Sequence, residues 1–125
     1  MEPWVQAYMA GMKCLSEKRY ADAIAQYRKA LELRPGEIDL LHALAAAHMY
    51  AGELDDAIST ANRIVELDPG DHLVHTSLSM MYQRKGNIEE AESQAAKARM
   101  KAWKAELKKN PNAPPPDDGP IKVLQ

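Results

Sequence analysis

Residues 20–36 read YADAIAQYRKALELRPG, and residues 54–70 read LDDAISTANRIVELDPG. Sliding the chain by 34 residues superposes them and adds a third copy, IEEAESQAAKARMKAWK, at 88–104. Ala23, Ala57 and Ala91 then coincide, as do Ala30, Ile64 and Ala98, and Tyr20, Leu54 and Ile88. Pro35 and Pro69 match and each is followed by glycine, whereas Trp103 stands at the third proline position. Working outward, three segments come into register at about 4–37, 38–71 and 72–105. A fixed period of this length is the signature of a stack of supersecondary units, each burying its apolar face against the next.

Each segment reads as two helices. Residues 4–16, 38–50 and 72–84 space their apolar side chains at three and four and form the first helix of each pair. Short polar turns follow, Glu17-Lys18-Arg19, Ala51-Gly52-Glu53 and Lys85-Gly86-Asn87. Gly52 and Gly86 stand where a helix ends with positive φ. Second helices are expected at about 21–34, 55–68 and 89–109. Pro35 and Pro69 stop the first two, because proline lacks the N–H and clashes with the preceding turn. With Trp103 in place of proline, the last helix runs on through Lys109 to the Asn110-Pro111 break and caps the stack. Gly11, Ala45 and Ser79 are expected opposite the Ala23, Ala57 and Ala91 positions, where a large side chain would overpack the crossing by roughly 1–3 kcal/mol.

This pattern resembles the tetratricopeptide repeat family over about 102 of the 125 residues. The small, alanine and proline signature is carried by Gly11, Ala23, Ala30 and Pro35, with Tyr20 and Tyr27 as aromatic packing residues; then by Ala45, Ala57 and Pro69; then by Tyr82, Ala91 and Ala98. Departures are Ala7, Leu41 and His75 at one large apolar position, and Ala61 and Ala95 where the first copy has Tyr27. The resemblance implies an all-α fold, a right-handed superhelical stack of antiparallel helix pairs, with a repeat domain over 1–109 and a proline-rich extended tail over 110–125.

It also implies that one face of the first helices lines a concave groove for an extended peptide or a helix. On this chain that face is Tyr8, Met12, His42, Ala46, Tyr50, Thr76, Met80, Gln83 and Arg84, mostly aromatic, methionine and small, with one permanent positive charge. Such a surface adapts to an apolar ligand and still places a few hydrogen bonds. The alternative reading makes Met12 and Met80 core filler between repeats. Arg84 is the best candidate for pairing a partner carboxylate. The family's chaperone-binding branch grips acidic C-terminal tails with lysine, asparagine and arginine. Here those positions hold Tyr8, Met12, Ala43, Leu73 and Ser77, so binding of acidic chaperone tails is not expected.

Charge is uneven along the chain: residues 38–71 carry seven acidic and one basic side chain, and 72–105 carry six basic and three acidic. Association between copies, acidic middle to basic last helix, is therefore a second reading, a homo-oligomeric scaffold. Lys97, Arg99, Lys101, Lys104, Lys108 and Lys109 favour the C-terminal end of the last helix, and no aromatic series interleaves with them as in nucleic-acid binders. The tail's prolines favour an extended path. Its end, Ile121 to Gln125, is apolar enough to dock on this scaffold, a second copy or another protein.

Sixteen basic and eighteen acidic residues leave a net charge of -2, which gives no reason to expect nucleic acid or an anionic membrane. Cys14 alone excludes an intramolecular disulfide, and neither a signal peptide nor a membrane span is legible, so a cytoplasmic location is the simplest reading. His72 and His75 share a helix face without a third ligand, and His48 falls at a packing position. Asp55-Asp56 and Glu89-Glu90 sit at helix starts, where acids favour the dipole. Neither catalysis nor a metal or other cofactor is expected; the reading is a protein-binding adaptor or assembly factor.

Overall fold

The computed structural model describes residues 1–116. Six helices follow in order: α1 Pro3–Ser16, α2 Tyr20–Leu33, α3 Ile38–Tyr50, α4 Leu54–Leu67, α5 Leu73–Lys85 and α6 Ile88–Lys109. They pair as antiparallel hairpins, α1 with α2, α3 with α4 and α5 with α6. The chain divides into two compact units at Pro69 and Gly70. The first holds α1 to α4, and the second holds α5, α6 and the residues after them.

The hairpin turns share one geometry. Arg19 N–H donates to Cys14 O at 2.8 Å, Glu53 N–H to His48 O at 2.9 Å and Asn87 N–H to Tyr82 O at 2.9 Å. One residue earlier, Lys18 donates to Leu15 O, Gly52 to Met49 O and Gly86 to Gln83 O, each at 3.0 Å. These paired bonds form a Schellman closure, which needs a left-handed residue at its centre. That residue is Lys18 at φ 61°, Gly52 at 83° and Gly86 at 87°. None of the six N-cap residues makes a side-chain cap bond, although at the start of α5 the preceding Asp71 accepts from Val74 N–H. At the far ends, Arg34 N–H bonds Ala30 O and Asp68 N–H bonds Ile64 O before Pro35 and Pro69 forbid another turn. Helix α6 carries on to Lys109, as expected from Trp103.

In the first unit, two clusters hold α1, α2 and α3 together. Ala23, Ile24, Tyr27, Leu44 and Ala47 form one, with Cys14, Leu15 and Ala43 against it. Ala7, Ala30 and Leu40 form the other, with Trp4 against it; Tyr8 and Leu31 touch both. Tyr27 is 1% exposed and is the largest fully buried side chain. Burying a side chain of that class contributes about 1.5–3 kcal/mol. Trp4 is also covered by the Arg34 guanidinium, 5.0 Å above its ring. Gly11 was expected opposite Ala23; a Cβ there would also run into the ring of Tyr27. Helix α4 contributes buried Ala57, Ile58, Ala61 and Ile64.

In the second unit, α5 buries Val74, Leu78 and Met81, and α6 buries Ala91 and Ala98. The close crossing is pinned by Ser79, whose hydroxyl donates to Ala91 O at 2.7 Å. The tail expectation divides in two. Residues 111–112 make a turn and 113–116 run without regular structure, while the indole N–H of Trp103 donates to Ala113 O at 3.0 Å and Ala113 is buried. Ile121 to Gln125 lie outside the described residues.

Candidate functional site

The expected groove residues of the first unit differ in how they are held. Tyr8 is half-buried, its ring tilted by 57° at 6.0 Å from that of Tyr27, so most of it belongs to the core. His42 and Ala46 are half-buried on α3. Met12 is 51% exposed and Tyr50 48% exposed, with Tyr50 stacked on Tyr20 at 6.2 Å and 24°. On α5, Thr76, Gln83 and Arg84 are exposed and Met80 is 41% exposed. Core filler is therefore not the role of either methionine. Unbranched, polarizable thioethers in water are what an adaptable binding surface presents.

A second concavity of the first unit escaped the sequence reading. It measures about 480 Å³ and lies between α2 and α4 above α3, with Arg28, Glu32, Asp56, Ser59 and Arg63 around a floor of Leu44 and His48. The signal was present as charged residues spaced by four, Arg28 with Glu32 and Ser59 with Arg63, which spacing places on one helix face. His48 is 3% exposed and its Nδ1 lies 2.9 Å from Glu53 Oε1. It is thus a satisfied core histidine, as its packing position implied, and the bond joins the last turn of α3 to the entry of α4. Among the described residues, His48, Glu53 and Asp56 are the group whose ligand atoms converge, within 4.8 Å of one another. Each member already has a place in the fold: the histidine holds the turn, and Asp56 lies in the acidic first turn of α4.

In the second unit, His75 is 4% exposed and its Nδ1 lies 2.7 Å from Gln94 Oε1. Gln94 in turn donates from Nε2 to Glu90 Oε1 at 3.1 Å. The other ring nitrogen, His75 Nε2, is buried with no hydrogen-bond partner. His72, by contrast, is the residue preceding α5, and Val74 N–H is bonded by Asp71 Oδ1 at 3.2 Å. The structure draws His75 into the α5–α6 crossing and away from any ligand set with His72.

No helix among the described residues is long and apolar enough to cross a membrane. The Tyr27 phenol is pushed above its ordinary range by burial first, then by the neighbouring Tyr8 and Cys14. This perturbation sits in the packed interior, where it reports close packing of α1 on α2 and offers no reacting group to solvent.

Comparison with known proteins agrees with this geometry. Solved structures similar to the chain include MamA, at 24% identity and a TM-score of 0.76 over 82% of this chain and 60% of that one. The type III secretion translocator chaperone SycD of Yersinia enterocolitica superposes with a TM-score of 0.77 at 22% identity, covering 87% of this chain and 83% of that one. At this identity the likeness is one of fold. Among curated relatives, the Hsp70-Hsp90 organizing protein of Triticum aestivum is 27% identical over 102 residues, 82% of this chain and 16% of that protein. The small glutamine-rich tetratricopeptide repeat-containing protein 2 of Mycosarcoma maydis is 33% identical over 81 residues, 65% of this chain and 23% of that protein. The chain thus spans less than a quarter of either relative. A family model described as tetratricopeptide repeat matches residues 15–81, more than half the chain, and the chain belongs to the tetratricopeptide repeat family.

Proposed function

We propose that the chain is a protein-binding module, an adaptor or assembly factor, that takes a mainly apolar peptide or helix on the outward face of its first helices. The module is a scaffold and not an enzyme. The observation that carries the reading is the exposure of Met12 and Tyr50 in the first unit, at 51% and 48%. Both are large apolar side chains on helices whose cores are already filled by other residues. His42 and Ala46 supply a polar atom and a small residue on the same helix as Tyr50. On α5 the repeat register gives Thr76, Met80, Gln83 and Arg84 the corresponding positions, with Arg84 as the cation for a partner carboxylate. The surface is short of cations, which supports an apolar partner over an acidic chaperone tail. A lone cysteine and the lack of a membrane-spanning helix among the described residues are compatible with a cytoplasmic setting.

The test is a displayed library of helical and extended peptides, selected on the full chain and re-measured on a Met12→Glu/Tyr50→Glu variant of equal helicity. Tyr8 is left alone because it packs on two core clusters. Apolar peptides that bind the native chain and lose about tenfold or more in affinity, roughly 1.4 kcal/mol, support this face. Peptides that bind both proteins equally refute it. Self-association is the second reading, supported by the acidic 38–71 and basic 72–105 segments; it predicts a concentration-dependent oligomer that dissociates as salt rises.

A further inference from the structure

The α5–α6 pair carries a groove of about 230 Å³ lined by Gln83 of α5 and by Ile88, Ala91, Glu92, Ala95 and Arg99 of α6. Subtracting two repeat lengths maps Ala91, Glu92, Ala95 and Arg99 onto Ala23, Ile24, Tyr27 and Leu31. In the first unit those residues share a core cluster with Leu44 and Ala47 of α3, the helix that closes over them. The groove is thus built as the seat of a following first helix. No further helix follows α6 among the described residues, and Ile88 at the groove's rim is 51% exposed.

Helix α1 carries the face that such a seat takes. Leu40, Ala43, Leu44 and Ala47, which α3 brings to α2, fall one repeat after Gln6, Met9, Ala10 and Lys13. In α3, Leu40, Leu44 and Ala47 are buried; in α1, Gln6, Met9 and Lys13 are exposed and Ala10 is half-buried. Met9 and Lys13 stand one residue round the helix from Tyr8 and Met12, so this is not the face assigned to a peptide. We propose that α1 of a second copy lays this face in the α5–α6 groove, repeating between copies the α2–α3 interface found within the chain.

The two surfaces depart from the α2–α3 interface in matching ways. Where that interface has Ala47 with Ile24, the new one has Lys13 with Glu92; where it has Leu40 with Leu31, the new one has Gln6 with Arg99. A cation meets a carboxylate at the first place, and an amide oxygen meets a guanidinium at the second. Size is exchanged as well. Ala95 replaces the Tyr27 ring and Ala10 replaces Leu44, while Met9 stands for Ala43 and brings an unbranched thioether to refill the space. Gln6 to Lys13 and Glu92 to Arg99 are each seven residues, about 10 Å at 1.5 Å per residue, so both pairs form together on antiparallel helices. The contact is heterologous: each copy keeps a free α1 face or a free groove, and association runs head to tail. This deepens the self-association reading by naming its interface, and it is independent of peptide binding.

The experiment is analytical ultracentrifugation of the full chain from micromolar to millimolar concentration, beside Lys13→Glu and Glu92→Lys variants, each alone and the two mixed. Neither residue belongs to a core cluster, and circular dichroism verifies that both variants fold. The native chain is expected to gain mass with concentration, and each variant alone to associate about tenfold more weakly. The equal mixture should recover native association, because the Glu92→Lys protein still offers Lys13 and the Lys13→Glu protein still offers Glu92. Carbodiimide treatment of mixed isotope-labelled and unlabelled native chains should join Lys13 Nζ to Glu92 in peptides that carry both labels. Association that neither reversal weakens, or that mixing does not restore, overturns this interface and leaves self-association standing. A monomer at every concentration, whether its groove is open or filled from within, overturns both.

Discussion

Gly11 and Tyr27 occupy one volume: the Cβ that glycine lacks would run into the Cε1 and Cδ1 edge of the Tyr27 ring. The chain repeats this relationship with other residues. Where the first repeat has Gly11 and Tyr27, the second has Ala45 and Ala61 and the third Ser79 and Ala95. A side chain on the first helix returns only when the ring on the second is gone.

Gly11→Ala should therefore destabilise the chain by up to about 2 kcal/mol, because the overpacking cost of roughly 1–3 kcal/mol is offset only in part by the helix propensity of alanine, about 1 kcal/mol. In a Tyr27→Ala background the sign should reverse, with Gly11→Ala stabilising by about 0.5–1 kcal/mol. Urea unfolding of the four proteins gives the coupling, with a stabilising osmolyte for the Tyr27→Ala pair, since that deletion alone costs about 3–5 kcal/mol. An effect of the same sign in both backgrounds would falsify the shared-volume argument.

Lys18 holds the left-handed position that Gly52 and Gly86 hold in the other two turns, with the same pair of closing bonds. A left-handed residue with a Cβ is strained by roughly 1–2 kcal/mol, and glycine's extra freedom in the unfolded chain offsets part of the relief. Lys18→Gly should stabilise by about 0.5–1 kcal/mol, and Gly86→Ala should destabilise by a similar amount. Thermal melts measure both; a Lys18→Gly protein that melts lower than the native one contradicts the reading.

Much of this was legible in the sequence, and the split has physical causes. Pro35, Pro69, Gly52 and Gly86 mark helix ends because each limits or frees its own backbone, so no tertiary knowledge is needed. The long α6 followed from Trp103 by the same logic. A 34-residue period identifies equivalent columns, but it does not say how far a ring on the second helix reaches across the first, so the approach of Tyr27 to Gly11 was not legible. Nor does helical spacing fix the lean of a ring: Tyr8 turns inward against Tyr27, while Tyr50 lies out on Tyr20. The return of the tail to Trp103 depends on a backbone carbonyl, which every residue has, and left no mark in the sequence.

Tyr27 makes the alkaline limb of stability a probe of the α1–α2 contact. Its phenol ionises above the ordinary value of 10.0 when folded, chiefly through burial. Below that value both states are protonated and the group contributes nothing to the pH dependence. Above it the unfolded chain releases a proton that the folded chain retains, so stability falls as pH rises. Tyr27→Phe should flatten the profile above about pH 10 relative to the native chain. Parallel profiles for the two proteins between pH 9 and 11 would sink the assignment.

His75 occupies the register position of Leu41, which is fully buried, and it leaves Nε2 buried without a partner. Such an atom typically costs about 1–3 kcal/mol. His75→Leu alone should give little, because it strands the Gln94 oxygen at the same crossing. The His75→Leu/Gln94→Leu pair removes donor and acceptor together and should raise stability by about 1–2 kcal/mol over either single change. Chemical denaturation of the four proteins decides it, and a double variant weaker than both singles means that the polar pair contributes more than its unpaired nitrogen costs.

Some curated relatives are named for organizing Hsp70 and Hsp90, and the function proposed above predicts a different ligand for this chain. Gripping a terminal carboxylate and flanking acids takes fixed cations or amide donors. The corresponding positions are Tyr8 and Ala43, which lie against the core, with Met12 and Leu73 exposed by 51% and 60% and Ser77 half-buried. Exposed thioether and leucine surface gains by losing water and offers an incoming carboxylate nothing to replace its hydration. An acidic peptide with a free C-terminus should bind at least about 100-fold more weakly than an apolar amphipathic peptide of the same length, a gap of roughly 2.7 kcal/mol. Amidating its carboxylate should change nothing. Fluorescence anisotropy at low and high salt separates the cases: apolar binding that survives salt agrees with this surface, whereas saturable, salt-sensitive binding that is lost on amidation would show that Arg84 or other cations assemble a carboxylate clamp after all.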